Sequence, residues 1–536
     1  MPYRRTDPTA KDGGAADCLR GGRITLREPV LVLYAPPMST ERNGVRMVVA
    51  VAAGALLLSE GVAAIVPGAL SLSGAAGAAV VALQPPGAKE LVTSLFGTAS
   101  KGVLQLLAAG VGLGLVGLLA RWRPRAVQPA AWVTGFLLTG SAIFWGGVPG
   151  IWAIAAVAVP AFLAGRILEM QEARDEGDRR AFLRATGGMA IAGGLALLVG
   201  RTPLRQLFGL DARGSSELPD AEISAPPPTG AQSFDIAGIS PIITPVESFY
   251  RIDTSLSPPA IDATRWSMRI DGMVERPLEL TYDDLRAEPQ IEIYSTMACI
   301  SNEVGGDLVG TAKWSGVSLQ SLLARAGVQA GATQLFSRSV DGWSAGFPLA
   351  WALAPERQPL VAIGMNDEPL TRDHGFPARL VVPGLFGYVS ATKWLDSIIV
   401  NRFEDATPYW LELGWVADGT METQARIEVP RYGSRLAAGP VQVAGTAWAP
   451  DRGVRAVEIS IDGGPWSPTD LSLPLSSATW VQWRATWQAT PGEHEIRVRT
   501  TDGFGAVQPT SPADGRYEGL LGAYRGHHTI TVTVAG

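Results

Sequence analysis

Two cysteines and four histidines in 536 residues leave this chain poor in the common soft metal ligands. The pair Cys18 and Cys299 excludes a disulfide scaffold, a four-thiolate zinc site and a thiolate-held iron–sulfur cluster. No Cys-x-x-Cys-His run exists, so no haem is covalently attached. No histidine precedes His374, which excludes a bis-histidine haem from everything N-terminal to it. Excess positive charge is lacking as well. A formal net charge of −6 argues against a nucleic-acid partner. At roughly 150 residues per domain, the length suits three or four units.

Charge is also missing in blocks, and these blocks divide the chain. Residues 102–120, 131–165 and 185–200 carry no ionisable charge, and 47–69 carry only Glu60. A crossing helix needs about 20 predominantly apolar residues. The pattern predicts about five transmembrane helices, near 47–69, 101–120, 130–147, 150–168 and 185–203. The third and fourth are parted by the turn Gly146-Gly147-Val148-Pro149-Gly150. Arginines concentrate before the first span, between the second and third (Arg121, Arg123, Arg125), and between the fourth and fifth (Arg166, Arg174, Arg179, Arg180, Arg184). Basic loops stay on the cytoplasmic side. Residues 1–41 are therefore expected to form a cytoplasmic leader in which Cys18 is a plain thiol, and everything after residue 203 is expected outside the cytoplasmic membrane. Glu60 reads as an interfacial or helix-packing residue. Asp178-Arg179-Arg180-Ala181-Phe182-Leu183 before the fifth span is similar to a twin-arginine export signal, which a basic loop also produces by chance. No small-x-small cleavage site follows, so the helix is expected to remain as an anchor.

The remainder splits in two. Residues 204–245, with Gly214-Ser215-Ser216-Glu217 and Pro226-Pro227-Pro228, read as a linker. Residues 246–427 mix strand alternation with helical patterns and predict an α+β domain. Strands are expected at 292–297, 334–339, 380–383 and 395–401. One helix starts after Thr281, with Asp283 and Asp284 in its first turn, and another covers 315–323 and stops near Gly327. Residues 428–536 carry evenly spaced short strands at 441–447, 456–461, 480–487, 493–500 and 529–534, with Asp462-Gly463-Gly464 as a turn. They predict an immunoglobulin-like β-sandwich.

Polar chemistry concentrates in three segments. Cys299 follows a strand; alone it would more often be a small buried hydrophobe, but a Gly-rich polar stretch, 303–310, comes directly after it. Arg372-Asp373-His374-Gly375-Phe376-Pro377-Ala378-Arg379 offers donors suited to an anionic group. Gly387-Tyr388-Val389-Ser390-Ala391-Thr392-Lys393 adds hydroxyls and an ammonium that suit a phosphate. Helix caps or ion pairs account for any one of these, and spacing alone does not name a ligand.

Residues 246–536 resemble the molybdopterin-dependent oxidoreductases of the sulfite oxidase family. The pattern Asp-His-Gly-Phe-Pro-x-Arg-x-x-Val-Pro-Gly stands at 373–384. The family's Cys-Ala-Gly-Asn segment corresponds to Cys299-Ile300-Ser301-Asn302, and Lys313-Trp314-Ser315-Gly316-Val317-Ser318-Leu319 matches a further motif. Gly445-Thr446-Ala447-Trp448 and Ser460-Ile461-Asp462-Gly463-Gly464 match its C-terminal domain, often called the dimerisation domain. The resemblance implies a molybdenum–molybdopterin cofactor (Moco) with Cys299 as the metal ligand. It implies Arg251 and the residue at Trp343 near the metal as catalytic positions. Tyr250, Asp253, Asn302, Asp373, His374, Arg379, Tyr388, Ser390, Thr392 and Lys393 are implied as cofactor-binding. It also implies a homodimer through the C-terminal domain. The five-span region lies outside the resemblance.

Three departures bear on substrate. Sulfite-oxidising members have Tyr where this chain has Trp343. They follow the Cys motif with an Arg pair where Glu303 and Val304 stand. They have Arg-Asn-His where Arg251-Ile252-Asp253 stands. A pocket with fewer basic groups binds a small dianion less well. The expectation is a multi-pass protein of the cytoplasmic membrane with an extracytoplasmic oxidoreductase domain. It would move one oxygen atom and two electrons on a small substrate and exchange electrons with a separate carrier, a cytochrome or a quinone-linked protein. The alternatives are reduction of a sulfoxide or N-oxide, and a noncatalytic cofactor-binding descendant.

Overall fold

The computed structural model describes residues 38–65, short stretches between 71 and 195, and residues 217–536 apart from 256–257, 260, 413 and 511–525. The first helix, α1 (Met38–Ile65), overlies the first predicted span and carries Glu60 in its body. The other four predicted spans lie wholly or largely outside the described residues, as do Cys18 and Arg179-Arg180. Among the described residues, no helix is long and apolar enough to cross a membrane.

From residue 217 the chain is rich in β structure. The strands up to residue 401 are β1 (Ala221–Ile223), β2 (Ser267–Gly272), β3 (Leu278–Thr281), β4 (Gln290–Ala298), β5 (Val309–Ser318), β6 (Gln334–Ser339), β7 (Ser344–Pro348), β8 (Leu360–Met365), β9 (Glu368–Pro369), β10 (Arg379–Val381) and β11 (Leu395–Asn401). They form two sheets. One runs β1-β4-β5-β8-β10, with β9 on β8, and the other runs β3-β2-β11-β6-β7. Met268, Ile270, Trp314, Leu322, Phe347 and Ile398 meet in their shared core. Helix α2 (Tyr282–Ala287) starts as expected: Thr281 accepts from the Asp284 N–H, and the Asp284 carboxylate accepts from the Thr281 N–H.

The second helix differs from expectation. Residues 315–318 belong to β5, and α3 (Leu319–Ala326) begins only after Ser318, which caps it; Gly327 ends it with φ 71°. Tertiary pairing decides this. Gly316 lies so close to β8 that a Cβ would stand 2.2 Å from the Val361 carbonyl oxygen, so the segment is held as strand.

The C-terminal strands are β12 (Gln424–Val429), β13 (Arg435–Ala437), β14 (Gly439–Trp448), β15 (Val454–Ile461), β16 (Ser467–Pro468), β17 (Asp470–Leu471), β18 (Val481–Ala489), β19 (Gly492–Asp502) and β20 (His528–Ala535). Sheets β12-β14-β18-β17 and β13-β20-β19-β15-β16 share one core built on Ile427, Val443, Val457, Trp483, Ile496 and Val532, which makes a sandwich. The expected turn after β15 forms with positive φ at both Asp462 and Gly463.

The described part of the stretch read as a linker is packed rather than free. Residues 221–223 pair with β4. The Phe234 N–H donates to Gln482 Oε1, whose Nε2 donates to the Ser240 carbonyl at 2.7 Å, and the Thr244 N–H donates to the Thr311 carbonyl at 2.8 Å. Its polar groups hydrogen-bond across a seam between domains, a use that composition alone does not reveal. Trp480 anchors this seam. It is buried, its backbone N–H donates to Thr296 Oγ1 at 2.7 Å, and its indole N–H donates to the Ile242 carbonyl at 2.8 Å. Trp480→Phe removes that indole donor and leaves a buried carbonyl unmet. Chemical denaturation should show a loss of about 1–3 kcal/mol; an unchanged midpoint would mean that the seam does not depend on this bond.

Candidate functional site

The end of β4 delivers Cys299 to the rim of a cavity of about 110 Å³. The turn that presents it is tied to itself. The Cys299 N–H donates to the Leu308 carbonyl at 2.9 Å and the Asn302 N–H to the Cys299 carbonyl at 3.0 Å, while Asn302 Oδ1 accepts from the Leu308 N–H at 2.8 Å. Asn302 is buried, does not line the cavity, and serves the shape of the loop.

The same cavity is lined by a cluster of basic groups. Arg379, the first residue of β10, is 4% exposed. One guanidinium nitrogen donates to the His374 carbonyl at 3.2 Å, another lies 3.3 Å from Met297 Sδ, and the group sits 5.0 Å from the centre of the Trp314 ring. Its Nε is buried without a hydrogen-bond partner, and no carboxylate pairs with it among the described residues. Burial lowers its pKa to about 10. Lys393 lines the same cavity; its ammonium meets Asp253 at 2.6 Å and the Asp373 carbonyl at 3.1 Å. Burial, and then the Arg379 charge, push its pKa well below the ordinary lysine range. These groups converge because Gly375, with φ 105°, has no side chain: a Cβ there would stand 3.0 Å from Lys393 Cβ and 3.1 Å from Arg379 Cβ.

His374 lines the cavity, with Nε2 3.0 Å from the Val246 carbonyl. A carbonyl only accepts, so Nε2 carries the proton. Burial, assisted by Arg379, lowers its pKa to about 4 and keeps the ring neutral. Tyr250 also lines the cavity, stacked 5.2 Å from Phe249. Burial, and next the neighbouring Cys299, raise its pKa above the ordinary phenol value, so the hydroxyl keeps its proton. Trp343 reaches the cavity from the turn between β6 and β7.

Other expected residues stand elsewhere. Arg251 does not line the cavity and pairs with Asp373 at 2.8 Å on its half-exposed edge. The Ser390 hydroxyl donates to the Phe386 carbonyl at 3.0 Å, and Thr392 Oγ1 lies 2.7 Å from Ser337 Oγ; neither faces the cavity. Tyr388 lines it, but its hydroxyl donates to the Val416 carbonyl at 2.8 Å. Glu303 and Val304 are outside the lining as well.

The sequence reading missed Asp341, Met297, Trp410 and Trp415, all of which line the cavity. The two indoles pack at 4.5 Å with their planes tilted by 30°, and Trp415 meets Tyr388 edge-on at 5.0 Å. The signal available was the density of aromatics at 409–415, remote in sequence from the recognised motifs. The formal charges of the lining balance: Asp253 and Asp341 against Arg379 and Lys393, with His374 neutral.

Among the described residues, no group of three or more His, Cys, Asp or Glu is placed to hold a metal ion. A single thiol faces a cavity that also holds a buried guanidinium lacking an anionic partner. That donor set fits an anionic cofactor bringing most of the metal's ligands with it.

The neutrality of His374 has a pH signature. Its ordinary pKa of 6.5 falls to about 4 on folding, so the unfolded chain binds the proton first. The associated stability, about 3 kcal/mol, is present above pH 6.5 and is lost as pH falls through about 4. His528, also lowered to about 4, adds a parallel slope. Unfolding free energies measured at about pH 7.5 and 4.5 should therefore converge in part for His374→Gln; an unaltered slope would place the imidazole in water.

Residues 255–410 match the family model described as an oxidoreductase molybdopterin binding domain. Over 320 residues the chain is 31% identical to mitochondrial sulfite oxidase of Homo sapiens, spanning 51% of this chain and 58% of that protein. It is 28% identical to sulfite oxidase of Arabidopsis thaliana, covering 54% of this chain and 88% of that one. It is 33% identical over 168 residues to the uncharacterized oxidoreductase YuiH of Bacillus subtilis, covering 31% of this chain and 81% of that protein. The chain thus spans little more than half the length of the human relative. Cys299, Trp343, His374, Arg379 and Lys393 of the cavity lie within the matched residues 255–410, and the chain belongs to the sulfite oxidase family of molybdopterin-dependent oxidoreductases.

Proposed function

We propose that this protein is a membrane-anchored, extracytoplasmic molybdenum oxidoreductase whose substrate is an organic molecule of low charge. The reading of oxygen-atom transfer rests on Cys299 opening onto the cavity beside buried Arg379. When bound, the molybdenum–molybdopterin cofactor supplies two-electron redox change and oxygen-atom exchange. Cys299 would ligate the metal as a thiolate. Arg379 and Lys393 would hold the anionic part of the cofactor, with neutral His374 donating no charge. The protonated Tyr250 hydroxyl would donate a hydrogen bond near Cys299, where Trp343 supplies no phenol. Trp343, Trp410 and Trp415 would exclude water and pack the non-reacting part of the substrate.

The balanced lining carries the substrate argument. A small dianion gains from net positive potential, and the two formal cations of the lining are matched in number by Asp253 and Asp341. A sulfoxide or N-oxide is neutral overall, presents one oxygen as acceptor, and offers apolar groups to the indoles. This favours reduction of such a substrate, with electrons arriving from a separate cytochrome or quinone-linked carrier.

Metal and pterin analysis of the purified protein should give one of each per chain, and Cys299→Ser should lose the molybdenum and turnover while keeping the fold. The intact enzyme should use sulfoxides or N-oxides in preference to sulfite. A kcat/KM for sulfite of about 10⁶ M⁻¹s⁻¹ or more would overturn the substrate assignment. The anchoring stands on the five predicted spans and their arginine-rich loops. Protease added to right-side-out membrane vesicles should cleave residues 217–536; full protection there would refute the topology.

A further inference from the structure

We propose that the C-terminal sandwich is a positioning element for the Cys299 loop, acting through Arg426 and His528. The proposal rests on the reading of Cys299 as the cofactor's protein ligand. Arg426 leaves β12 and is 7% exposed. Its guanidinium serves three parts of the chain at once. Nε donates to Glu428 Oε1 at 2.6 Å within the sandwich. One terminal nitrogen donates to Ser240 Oγ at 2.9 Å in the seam, and the other donates to the Gly306 carbonyl at 2.6 Å in the Cys299 loop. Glu428 in turn accepts from the Ser240 N–H at 2.6 Å and from Thr446 Oγ1 at 3.1 Å, which fixes the carboxylate that aims the guanidinium. The Arg426 head also lies 5.6 Å from the centre of the Trp480 ring, the anchor of the seam.

His528 presses on the neighbouring residue of the same loop. The Ile427 N–H donates to its Nδ1 at 2.8 Å, which fixes the ring, and the opposite edge lies against Gly305. Gly305 has φ 80°, and a Cβ there would fall 2.2 Å from His528 Nε2, so the loop passes as close to the ring as a backbone can. The loop's own bonds close it between Cys299 and Leu308. Within its outer bend the Gly306 N–H donates to the Glu303 carbonyl at 2.8 Å, and the sandwich ties that bend to the rest of the chain, from two adjacent residues of β12 and one of β20. A charged donor to a buried carbonyl holds position more strongly than a neutral one.

A merely stabilising contact would act on global unfolding alone, whereas a positioning contact also governs local opening of the loop. The readout is the rate at which iodoacetamide alkylates Cys299 in the full-length, cofactor-free chain, in a Cys18→Ser background, followed by mass spectrometry. Arg426→Met should raise that rate about tenfold, and Arg426→Lys, which keeps the charge but cannot reach all three acceptors, should raise it less. Val457→Ala, a cavity in the sandwich core away from the loop, should lower the melting temperature without changing the rate. An unchanged rate in Arg426→Met, or an equal rise in Val457→Ala, would overturn the proposal. Should Arg426→Met fail to fold, Arg426→Lys against Val457→Ala decides it in the same way. Because the measurement is made without cofactor, its outcome is independent of the molybdenum analysis that tests the reading beneath it.

Discussion

A guanidinium withdrawn from water without a carboxylate beside it is the constraint around which this domain is arranged. Burial takes the Arg379 pKa from its ordinary 12.5 to about 10, a cost of about 3 kcal/mol for holding the charge in place. The protein offsets part of it with a backbone carbonyl, a thioether and the face of Trp314. An acidic side chain would offset more and is withheld. The nearest cation, Lys393, receives Asp253, and Arg251 at the cavity edge receives Asp373. The nearest imidazole stays neutral. These neighbouring positive groups are thereby paired or uncharged, while Arg379 has no carboxylate partner among the described residues. That is a description of a binding site for an anion the chain does not itself encode, and the cofactor of this family meets it.

Legibility in the sequence follows the same logic. The segment 373–384 was readable because one tight turn must place His374, Gly375 and Arg379 in a fixed order, and only Gly375 permits Lys393 to approach. Cys299 was readable through its position after a strand and before a Gly-rich turn. The hydroxyls of Ser390 and Thr392 looked equally suitable by composition, yet each found a partner within the fold, at Phe386 and Ser337. A short polar side chain in a buried segment must bond to something, and sequence does not say to what. Trp410, Trp415 and Asp341 were missed for the opposite reason. Asp341 and Trp415 come from loops and Trp410 from the short helix Tyr409–Glu412, their place at the cavity is set by packing of distant strands, and the only local mark was the density of aromatics at 409–415. The limits of the five predicted sandwich strands were legible to within two residues because alternation there reports two faces with different surroundings, whereas β12, which starts before the expected boundary at 428, and the short β13, β16 and β17 were not foreseen. The 315–318 segment misled because its sequence allows a helix and its pairing with β8 does not.

The indoles and the acids of the cavity act together on selectivity. Under the proposed function Asp341 and Asp253 would offset the net field that a small dianion needs, while Trp343, Trp410 and Trp415 would supply area to an organic substrate. Either feature alone would be ambiguous. Acids also tune neighbouring cations, and tryptophans also fill cores. In the proposed function their coincidence at one cavity would act in two ways, the acids disfavouring a small dianion and the tryptophans giving a bulkier molecule its binding area.

The seam between the domains obeys a different economy. Its anchors are hydrogen bonds from side chains to main-chain carbonyls and amides: Trp480 to Ile242, Ser476 to Tyr294, Arg426 to Gly306. Such bonds contribute about 1 kcal/mol each, less than an apolar interface of equal area would give. What they add is register, since each has one partner at one distance and an alternative docking would leave a buried carbonyl unmet. Two of those carbonyls, Tyr294 and Gly306, belong to the strand that carries Cys299 and to the loop that follows it. Polar contacts are the suitable material where the requirement is placement of a thiol to a few tenths of an ångström, and the described part of the polar stretch that precedes the catalytic domain, residues 217–245, is long enough to line that seam because it supplies Ser240 and Ile242 to it.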